Sequence, residues 1–483
     1  MTDFVPNNQK FPLVAININN EFAVPGSADQ PYNALYIGHK LSTGTATIDE
    51  VTEVLSLGDA AAKFGVGSTA YEFCRGYFAA GSNNPLYVYI IDELDDWKAR
   101  EVTLTFTGTT ISAGVLNLYI AGKKLAISVS SSDTITTIAA NIAAMITSDN
   151  EFLFSAVAAA GVVTLTSKSK GIFANEFSIQ DSVGMSEVLP GGLTLVIAEK
   201  TAGEGLPTTF SNAPLDSELQ YILWGSTIKE NAYINLLLTE LGDRDSAVRK
   251  LDGYLIASTR GTLAELTTKG KAFNSQYLSL FPIAGNTNNI YADGVLIGEV
   301  SRVKSQDPAA SMQNLPLKGF ISPQNSEVLS SANLNTLLLN GVSAYKVVNG
   351  ILQIASLVTT YKTDRFGLKN ESFFDLSTML TLSYLRFAIN ATALRRFQGA
   401  KIGRDGVRYN SGQKIVTPLG IKGELVNLFT EWEADGLVED KQAFANSLVV
   451  ERNVSDPNRI DVFLYPDVVN ELKVMGFDLR FLL

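Results

Sequence analysis

The sequence predicts a multidomain α/β protein of mixed α+β character, and three observations support this class. The strand–helix–strand spacing between Asp252 and Ile283 is typical of a βαβ unit in a parallel sheet. Short alternating strands rich in Thr, Ser, Gly and Ala occupy residues 100–202. An apolar helix of about 25 residues, roughly 37 Å long, begins near Asp375. With 483 residues, the chain is long enough for about three domains.

We therefore predict an α/β core interrupted by a β-rich insertion, followed by a C-terminal domain, with an extended strand arm at each end. The predicted boundaries are 1–25 for the N-terminal arm, 26–99 and 203–320 for the two parts of the core, 100–202 for the insertion, 321–470 for the C-terminal domain and 471–483 for the C-terminal arm. Nothing in the insertion suggests chemistry, so we expect it to be an exposed decoration.

Composition argues against several functions. The net charge of −11 disfavours general binding to nucleic acids or anionic membranes. The start, MTDFVPNNQKF, lacks the pattern of a signal peptide, and no run of about 18 apolar residues predicts a membrane span. Only 18% of the residues are charged, below the usual quarter, which favours a protein that buries part of its surface against neighbours.

The N-terminal arm contains one predicted strand, Leu13–Ile18. Val14, Ile16 and Ile18 share a face by period-2 alternation. No tight turn follows to make a hairpin, so the strand must find a sheet elsewhere because its backbone groups need partners. That sheet belongs either to its own domain or to another subunit.

The first part of the core alternates strands and helices. Strands are predicted at NALYIGHK (33–40) and Leu86–Ile91, with a helix at Thr69–Ala80 between them. Asp49–Leu57 and Asp59–Phe64 are predicted to be helical or loop-like.

The insertion is predicted to be mostly strands. They cover Val102–Phe106, Val115–Ile120, Leu125–Val129, Val162–Thr166, Glu176–Ile179 and Leu193–Ile197. One helix, Thr134–Ile146, interrupts them with Asp133 as its predicted cap.

The second part of the core follows a linker, Gly203–Pro214. Its predicted strands are Tyr221–Trp224, Asp252–Ser258 and Tyr277–Ile283, and its predicted helices are Asn231–Leu241, Arg244–Lys250, Thr262–Phe273 and Ala292–Asp307.

The stretch Tyr345–Asp405 organises the C-terminal part. Gly350 divides its β-branched run into a hairpin. Ser372 or Asp375 then caps the long helix, which runs to about Gln398.

A second helix and three strands follow this stretch. The helix is Leu419–Asp435, and the strands are Leu448–Arg452, Arg459–Leu464 and Phe477–Leu483. In the last strand Phe477, Leu479 and Phe481 face one way.

The sequence contains no phosphate-binding loop and no GxSxG elbow. A single cysteine and a single histidine rule out intramolecular disulfides and multi-ligand Cys or His metal sites. Cys74 is predicted to be buried packing, and His39 a core residue rather than a lone general base. The acidic pairs Asp92–Glu93 and Asp95–Asp96 fit a solvated loop better than a cation site. We expect no catalytic site, cofactor or metal.

Charge is distributed unevenly near the C-terminus. Residues 373–414 contain seven basic side chains against two acidic ones, and residues 415–440 contain one basic against six acidic. Two interpretations remain open. The segments pair with each other within one chain, or they match charges between subunits or with another acidic protein.

Several segments in a fixed order resemble the contractile tail sheath proteins of Mu-like myophages, which are related to tailocin and type VI secretion sheaths. The segments are YNALYIG (32–38), NPLYVY (84–89), DPAASMQNLPLKG (307–319), LNTLLLNGVSAYKVVNGILQIASLVTTYKTD (334–364), SFFDLSTMLTLSYLRFAI (372–389) and the closing ERNVSDPNRIDVFLYPDVVNELKVMGFDLRFLL (451–483). The resemblance covers most of the chain and is weakest over 100–200. Ala355 stands where many relatives carry Arg.

The resemblance implies a structural virion protein of the tail sheath, assembled in the host cytoplasm, that is not an enzyme. It implies a homo-oligomer of hexameric rings stacked in a helix around the tail tube protein, with baseplate and tail terminator proteins as further partners. Sheath contraction drives the tube through the host envelope. Terminal arms add strands to neighbouring C-terminal domains. The expected donors here are Val14, Ile16, Ile18, Phe477, Leu479 and Phe481.

The basic end of the long helix is the candidate contact with the tube or a neighbour. Its residues are Arg386, Arg395, Arg396, Lys401, Arg404 and Arg408. Two other classes remain as alternatives: an α/β enzyme with a lone Asp or Ser site, and another lattice protein such as a capsid or surface-layer subunit.

Overall fold

The first elements of the chain form half of a central sheet. In chain order they are β1 (Ala34–Gly38), β2 (Val51–Val54), α1 (Leu57–Phe64), α2 (Thr69–Ala80) and β3 (Leu86–Ile90). The computed structural model describes residues 30–482, with gaps at 110, 182–186, 212–214 and 216–218. Ser56 and Ser68 cap the two helices through their hydroxyls. The helical or loop-like prediction for 49–57 is wrong over β2, because this edge strand is fixed by antiparallel pairing with β3.

The insertion forms two small antiparallel sheets and one helix. Its elements are β4 (Ala99–Thr107), β5 (Gly114–Ile120), β6 (Lys123–Val129), α3 (Ile135–Ser148), β7 (Phe154–Ala159), β8 (Val162–Lys170), a 3-10 helix (Ile172–Glu176), β9 (Ile179–Asp181) and β10 (Thr194–Thr201). The sheet orders are β10-β4-β8-β7 and β6-β5-β9.

Two local predictions for the insertion are wrong, and one strand was missed. The cap of α3 is Thr134, which makes a capping box with Thr137, whereas Asp133 accepts from the backbone of Ser130. The strand predicted at 176–179 is replaced by the end of the 3-10 helix, and β9 begins only at Ile179. Strand β7 was not predicted, because its sequence FSAVAA is mostly small apolar residues with little hydrophobic contrast between the two faces.

The second part of the core completes the central sheet. Its elements are β11 (Leu223–Ser226), α4 (Asn231–Arg244), β12 (Tyr254–Thr259), α5 (Leu263–Lys271), β13 (Leu278–Pro282) and α6 (Asn289–Lys304). The sheet order is β13-β12-β11-β1-β3-β2, and every neighbouring pair except β2–β3 is parallel. The predicted parallel sheet is therefore confirmed. Helix α4 ends at Arg244, so the separate helix predicted at 244–250 is wrong.

Helices α2 and α6 pack together unusually closely on one face of the sheet. A Cβ atom at Gly76 would lie 2.2 Å from the carbonyl oxygen of Tyr291, and one at Gly294 would lie 2.2 Å from that of Phe73. Only glycine permits this approach, and α6 is accordingly buried on almost every side.

The insertion contacts the central sheet through side-chain packing, in addition to its covalent connections. The ring of His39, after β1, stacks on Phe173 of the insertion with 4.8 Å between centroids. Asn289 at the start of α6 donates to Glu176 at 2.8 Å. The buried apolar residues of sheet and insertion form one continuous cluster, which we call the larger core.

The C-terminal part contains the long helix and several short strands. Its elements are α7 (Ser331–Leu339), β14 (Ala344–Val348), β15 (Ile351–Ser356), α8 (Leu376–Phe397), β16 (Lys401–Ile402), β17 (Ile415–Val416), α9 (Pro418–Ala434), β18 (Val438–Glu439), α10 (Lys441–Ser447), β19 (Val449–Arg452), β20 (Ile460–Phe463) and β21 (Asp467–Val468). Asn349 and Gly350, both with positive φ, turn the β14–β15 hairpin as predicted. Asp375 caps α8, as one of the two predicted caps.

Helix α8 passes through two apolar clusters. Leu376 and Leu380 belong to the larger core, whereas Leu385 and Ala388 belong to a second cluster built with α9, α10 and β18, which we call the smaller core. Residues 337–357 pack into the larger core. The packing boundary thus lies within α8, later than residue 321, where the predicted C-terminal domain begins.

The strand predicted at Phe477–Leu483 does not form in the single chain. Residues 471–482, here called the C-terminal arm, have no regular secondary structure. A strand needs a hydrogen-bonded neighbour, and the described part of the chain offers this segment none. The N-terminal arm strand at Leu13–Ile18 lies outside the described residues.

Candidate assembly surfaces

The C-terminal arm carries the most exposed run of apolar side chains in the described chain. Phe477, Leu479 and Phe481 are 87%, 89% and 75% exposed. The start of the arm is tethered to the larger core, since Lys473 pairs with Asp375. Several exposed apolar side chains in one short segment are typical of interaction sites. The other predicted donors, Val14, Ile16 and Ile18, lie outside the described residues.

An apolar groove of about 480 Å³ lies on the smaller core. Helices α8 and α9 and the β19–β20 hairpin form its walls. Its lining residues are apolar except for one asparagine: Ile389, Ala393, Phe397, Ala400, Ile402, Val416, Ile421, Leu425, Asn458, Ile460, Val462 and Leu464. Sequence reasoning did not find this groove, although the apolar face of α8 with Ile389 and Phe397 was visible in the helical spacing.

The hairpin beside the groove has free edges. Strands β19 and β20 pair only with each other in the described part of the chain, with Val449 opposite Phe463 and Val450 opposite Val462. Each strand therefore presents an outer row of backbone donors and acceptors that another strand can pair with. Val449, Val462 and Phe463 of this hairpin are also exposed.

The predicted basic contact residues divide into two groups. Arg386 is committed to the α/β core: its Nη1 donates to Asp252 Oδ1 at 2.6 Å and also to Asp245, and its Nη2 donates to the carbonyl oxygens of Asp245 and Ser246. Its guanidinium therefore ties α8 to the end of α4 and the start of β12.

The other five basic residues lie at the far end of α8 and beyond it. Arg396 pairs with Glu424 of α9 at 2.7 Å. Arg395, Lys401, Arg404 and Arg408 are exposed and have no ion-pair partner among residues that the structure describes. Among the described residues, the basic and acidic segments of one chain therefore form a single ion pair with each other, Arg396–Glu424.

Two of the six acidic residues in the acidic segment make local contacts at the start of α10. Asp440 caps α10 by accepting from the backbone of Ala443, and Glu433 accepts from the backbone of Lys441. Glu431 and Glu439 are exposed and make no ion pair within the described ranges. Both segments thus keep charges available for another chain.

The residues considered for chemistry are packing residues. His39 is fully buried, its Nδ1 lies 3.3 Å from the carbonyl oxygen of Ile91, and burial lowers its pKa to about 4. Cys74 is fully buried, and burial raises its thiol pKa. Within the described residues, no group of three or more His, Cys, Asp or Glu side chains is placed to hold a metal ion, and no helix is long and apolar enough to cross a membrane.

Comparisons with known proteins identify the family of this chain. Residues 368–481 match the family model of the phage tail sheath C-terminal domain. The Mu-like prophage FluMu tail sheath protein of Haemophilus influenzae is 32% identical over 99% of this chain and 99% of that protein. This chain belongs to the tail sheath protein family of Mu-like phages. The predicted family and the role of structural sheath subunit are thereby confirmed.

One solved sheath structure shares the fold at low identity, and a second aligns with a lower score. The PVC sheath complex of an extracellular contractile injection system, in its contracted state, aligns over 98% of each chain with 9% identity and a TM-score of 0.51. The sheath tail protein from Desulfitobacterium hafniense aligns over 94% of this chain and 100% of that chain, with 11% identity and a TM-score of 0.48. The predicted mixed, multidomain α/β fold is confirmed.

Proposed function

We propose that this sheath protein polymerises as hexameric rings stacked in a helix around a tail tube, and that contraction of this polymer drives the tube through the host envelope. Its partners are copies of itself, the tail tube protein, and the baseplate and tail terminator proteins. It assembles in the host cytoplasm, acts as part of the virion, and performs no catalysis. The observation that carries the proposal is an exposed apolar arm in the same chain as an open-edged hairpin over an apolar groove.

The arm and the hairpin are complementary in chemistry. Phe477, Leu479 and Phe481 share one face of an extended strand, and the groove offers apolar side chains for that face to cover. Backbone pairing with a free edge of β19 or β20 would satisfy the arm's donors and acceptors. The arm of one subunit therefore adds a strand to the hairpin of a neighbour.

The free energy expected from one arm contact suits a link between neighbouring subunits of a polymer. Burying each of the three arm side chains contributes roughly 1.5–3 kcal/mol, and ordering the arm and restricting the subunits offsets part of that gain. One linkage is therefore weak and reversible between two free subunits. Many such linkages in one polymer add together and keep neighbours connected while each subunit moves as a rigid body.

The unpaired basic residues supply a second contact. Arg395, Lys401, Arg404 and Arg408 project a positive surface from a chain whose net charge is −11. We assign this surface to an acidic face of the tail tube or of a neighbouring subunit. Arg386 is left out of this contact, because its donors are used within the chain.

Electron microscopy of the purified chain tests the proposal. The wild-type protein is expected to form hollow, striated tubes. Deleting Phe477–Leu483 should leave a folded subunit that forms no tubes, because the donor strand is lost. A matched pair of full-length variants tests whether the apolar face of the arm, and not merely the presence of the arm, is required. Phe477→Ser with Phe481→Ser should abolish tubes, whereas Asp478→Ser with Arg480→Ser should preserve them. Tubes from the truncated chain would reject the arm, and flat sheets, closed shells or small discrete oligomers of wild type would reject the sheath polymer.

A further inference from the structure

A cleft of about 580 Å³ lies where the insertion meets the central sheet, away from the assembly surfaces. The loop after β3 forms one side of it, and residues 204–211, which lead from the insertion back to the core, form the other. This volume is in the range of pockets that take small organic ligands. The cleft shares no lining residue with the groove on the smaller core.

Aromatic rings form the inner wall of the cleft. Tyr89, Trp97, Phe210 and Tyr233 all line it. The ring of Phe210 lies 5.8 Å from that of Tyr89 and 6.5 Å from that of Tyr233, both edge to face. Aromatic faces attract organic cations, so this wall favours a positively charged ligand over a neutral or anionic one.

Carboxylates surround the aromatic wall. Asp49 accepts a hydrogen bond from Tyr89 at 3.2 Å, and Glu204 pairs with Lys98 at 2.6 Å. Asp92 and Asp96 line the cleft, are exposed, and have no ion-pair partner in the part of the chain that the structure describes. Lys98 is the only basic residue paired at this rim within the same ranges, so the cleft has excess negative charge.

A buried hydroxyl supplies an independent sign of a ligand. Tyr233 is fully buried and lines the cleft, yet its hydroxyl has no hydrogen-bond partner among the described residues. Leaving a buried polar group unpaired costs free energy, and most such groups have partners. A ligand N–H donor reaching the inner wall would provide one.

We propose that this cleft binds the alkylammonium group of an organic amine. Such a group has N–H donors for the Tyr233 hydroxyl and a carboxylate, and its alkyl chain packs on the aromatic wall. A hard metal ion does not suit the cleft, because no three carboxylates of the described chain are close enough to hold one. The amine comes either from a free polyamine or from a lysine of another chain.

Titration calorimetry of the purified full-length chain with spermidine tests the first source. Wild type should show saturable binding that magnesium chloride at equal ionic strength does not mimic. Tyr233→Phe and Asp96→Asn should each weaken binding about tenfold, the usual effect of losing a hydrogen bond or contact to a charged group. Asp95→Asn is the matched control: Asp95 lies in the same exposed loop without lining the cleft, and its loss should change affinity less than about twofold.

Carbodiimide coupling of the polymerised chain, read by mass spectrometry, tests the second source. A lysine of another chain in the cleft would be joined covalently to Asp92 or Asp96, and the polymer would bind no spermidine. The coupling experiment relies on the proposed polymer, whereas the spermidine titration does not. The proposal is overturned if neither binding nor coupling occurs. It is also overturned if wild type binds spermidine and either Tyr233→Phe binds it equally well or Asp95→Asn weakens binding as much as Asp96→Asn.

Discussion

The α/β core and the C-terminal region differ in how much of their apolar surface is buried within the chain. Around the larger core, helix α6 is buried on nearly all sides and approaches α2 so closely that only glycine fits at Gly76 and Gly294. In the C-terminal region, the groove on the smaller core and the arm side chains Phe477, Leu479 and Phe481 stay exposed. The core completes its packing within one chain, whereas we propose that other chains complete the packing of the C-terminal region.

The largest expected effect comes from disturbing the tight helix pair. Gly294→Val should destabilise the fold by about 3 kcal/mol or more, because the new side chain would meet the backbone of Phe73. Thermal unfolding by circular dichroism measures the loss, and failure to express folded protein counts as the same result. A variant that melts within a few degrees of wild type would show that α2 and α6 have room to separate.

The sequence predictions succeeded where the structure is determined by local sequence signals. Helices α2 and α8 were predicted nearly to the residue, because the apolar spacing and caps such as Asp375 are encoded locally. Strand β2 was missed, because pairing with β3 decides its conformation. The arm strand was predicted from its alternating pattern, but the described residues offer no strand with which it pairs.

The surfaces were predicted less completely than the elements. The basic residues were visible in the sequence, but a count of charges did not reveal that Arg386 binds Asp245 and Asp252, while Arg395 has no ion-pair partner among the described residues. The groove and the cleft each gather side chains from segments far apart in the chain. Only the folded structure brings such residues together.

The junction between the two regions should respond to pH. Arg386 of α8 is shared by two carboxylates of the core, and Asp252 also accepts from Ser383 at 3.0 Å. Burial, with the neighbouring Asp245, raises the pKa of Asp252 to about 7 from an ordinary value of 3.8. The folded state therefore holds this proton more tightly than the unfolded state, and the associated stability is lost as pH rises from about 4 through 7.

Asp252→Asn should remove this pH dependence. The amide imitates the protonated acid, so the stability of the variant relative to wild type should rise by about 1–3 kcal/mol between pH 5 and pH 8. Urea unfolding at pH 5, 6, 7 and 8 measures the difference. Asp461→Asn is the control, because hydrogen bonds from Asn453 and Arg459 lower the pKa of Asp461 and keep it ionised throughout this range. Parallel pH profiles for wild type and Asp252→Asn would contradict the assignment.

The smallest expected effect lies in the C-terminal region. Gly423 is exposed within α9, and nothing lies within 4 Å of a Cβ placed there. Gly423→Ala should therefore stabilise the protein by up to about 1 kcal/mol through helix propensity alone. Chemical unfolding followed by circular dichroism measures it. A loss of stability would show that α9 is as tightly packed as α6 and would weaken the contrast between the regions.

The most direct test of the account is disulfide trapping between two separately purified chains, each with one introduced cysteine. One carries Val462→Cys at the hairpin, and the other carries Phe477→Cys, Leu479→Cys or Phe481→Cys in the arm. The native Cys74 is buried and does not interfere. If the arm of one subunit pairs with the hairpin of another, at least one mixture should yield covalent dimers on polymerisation, while Asp478→Cys, which faces away, should not. Polymers that form normally but give no disulfide in any of the three mixtures would contradict the linkage.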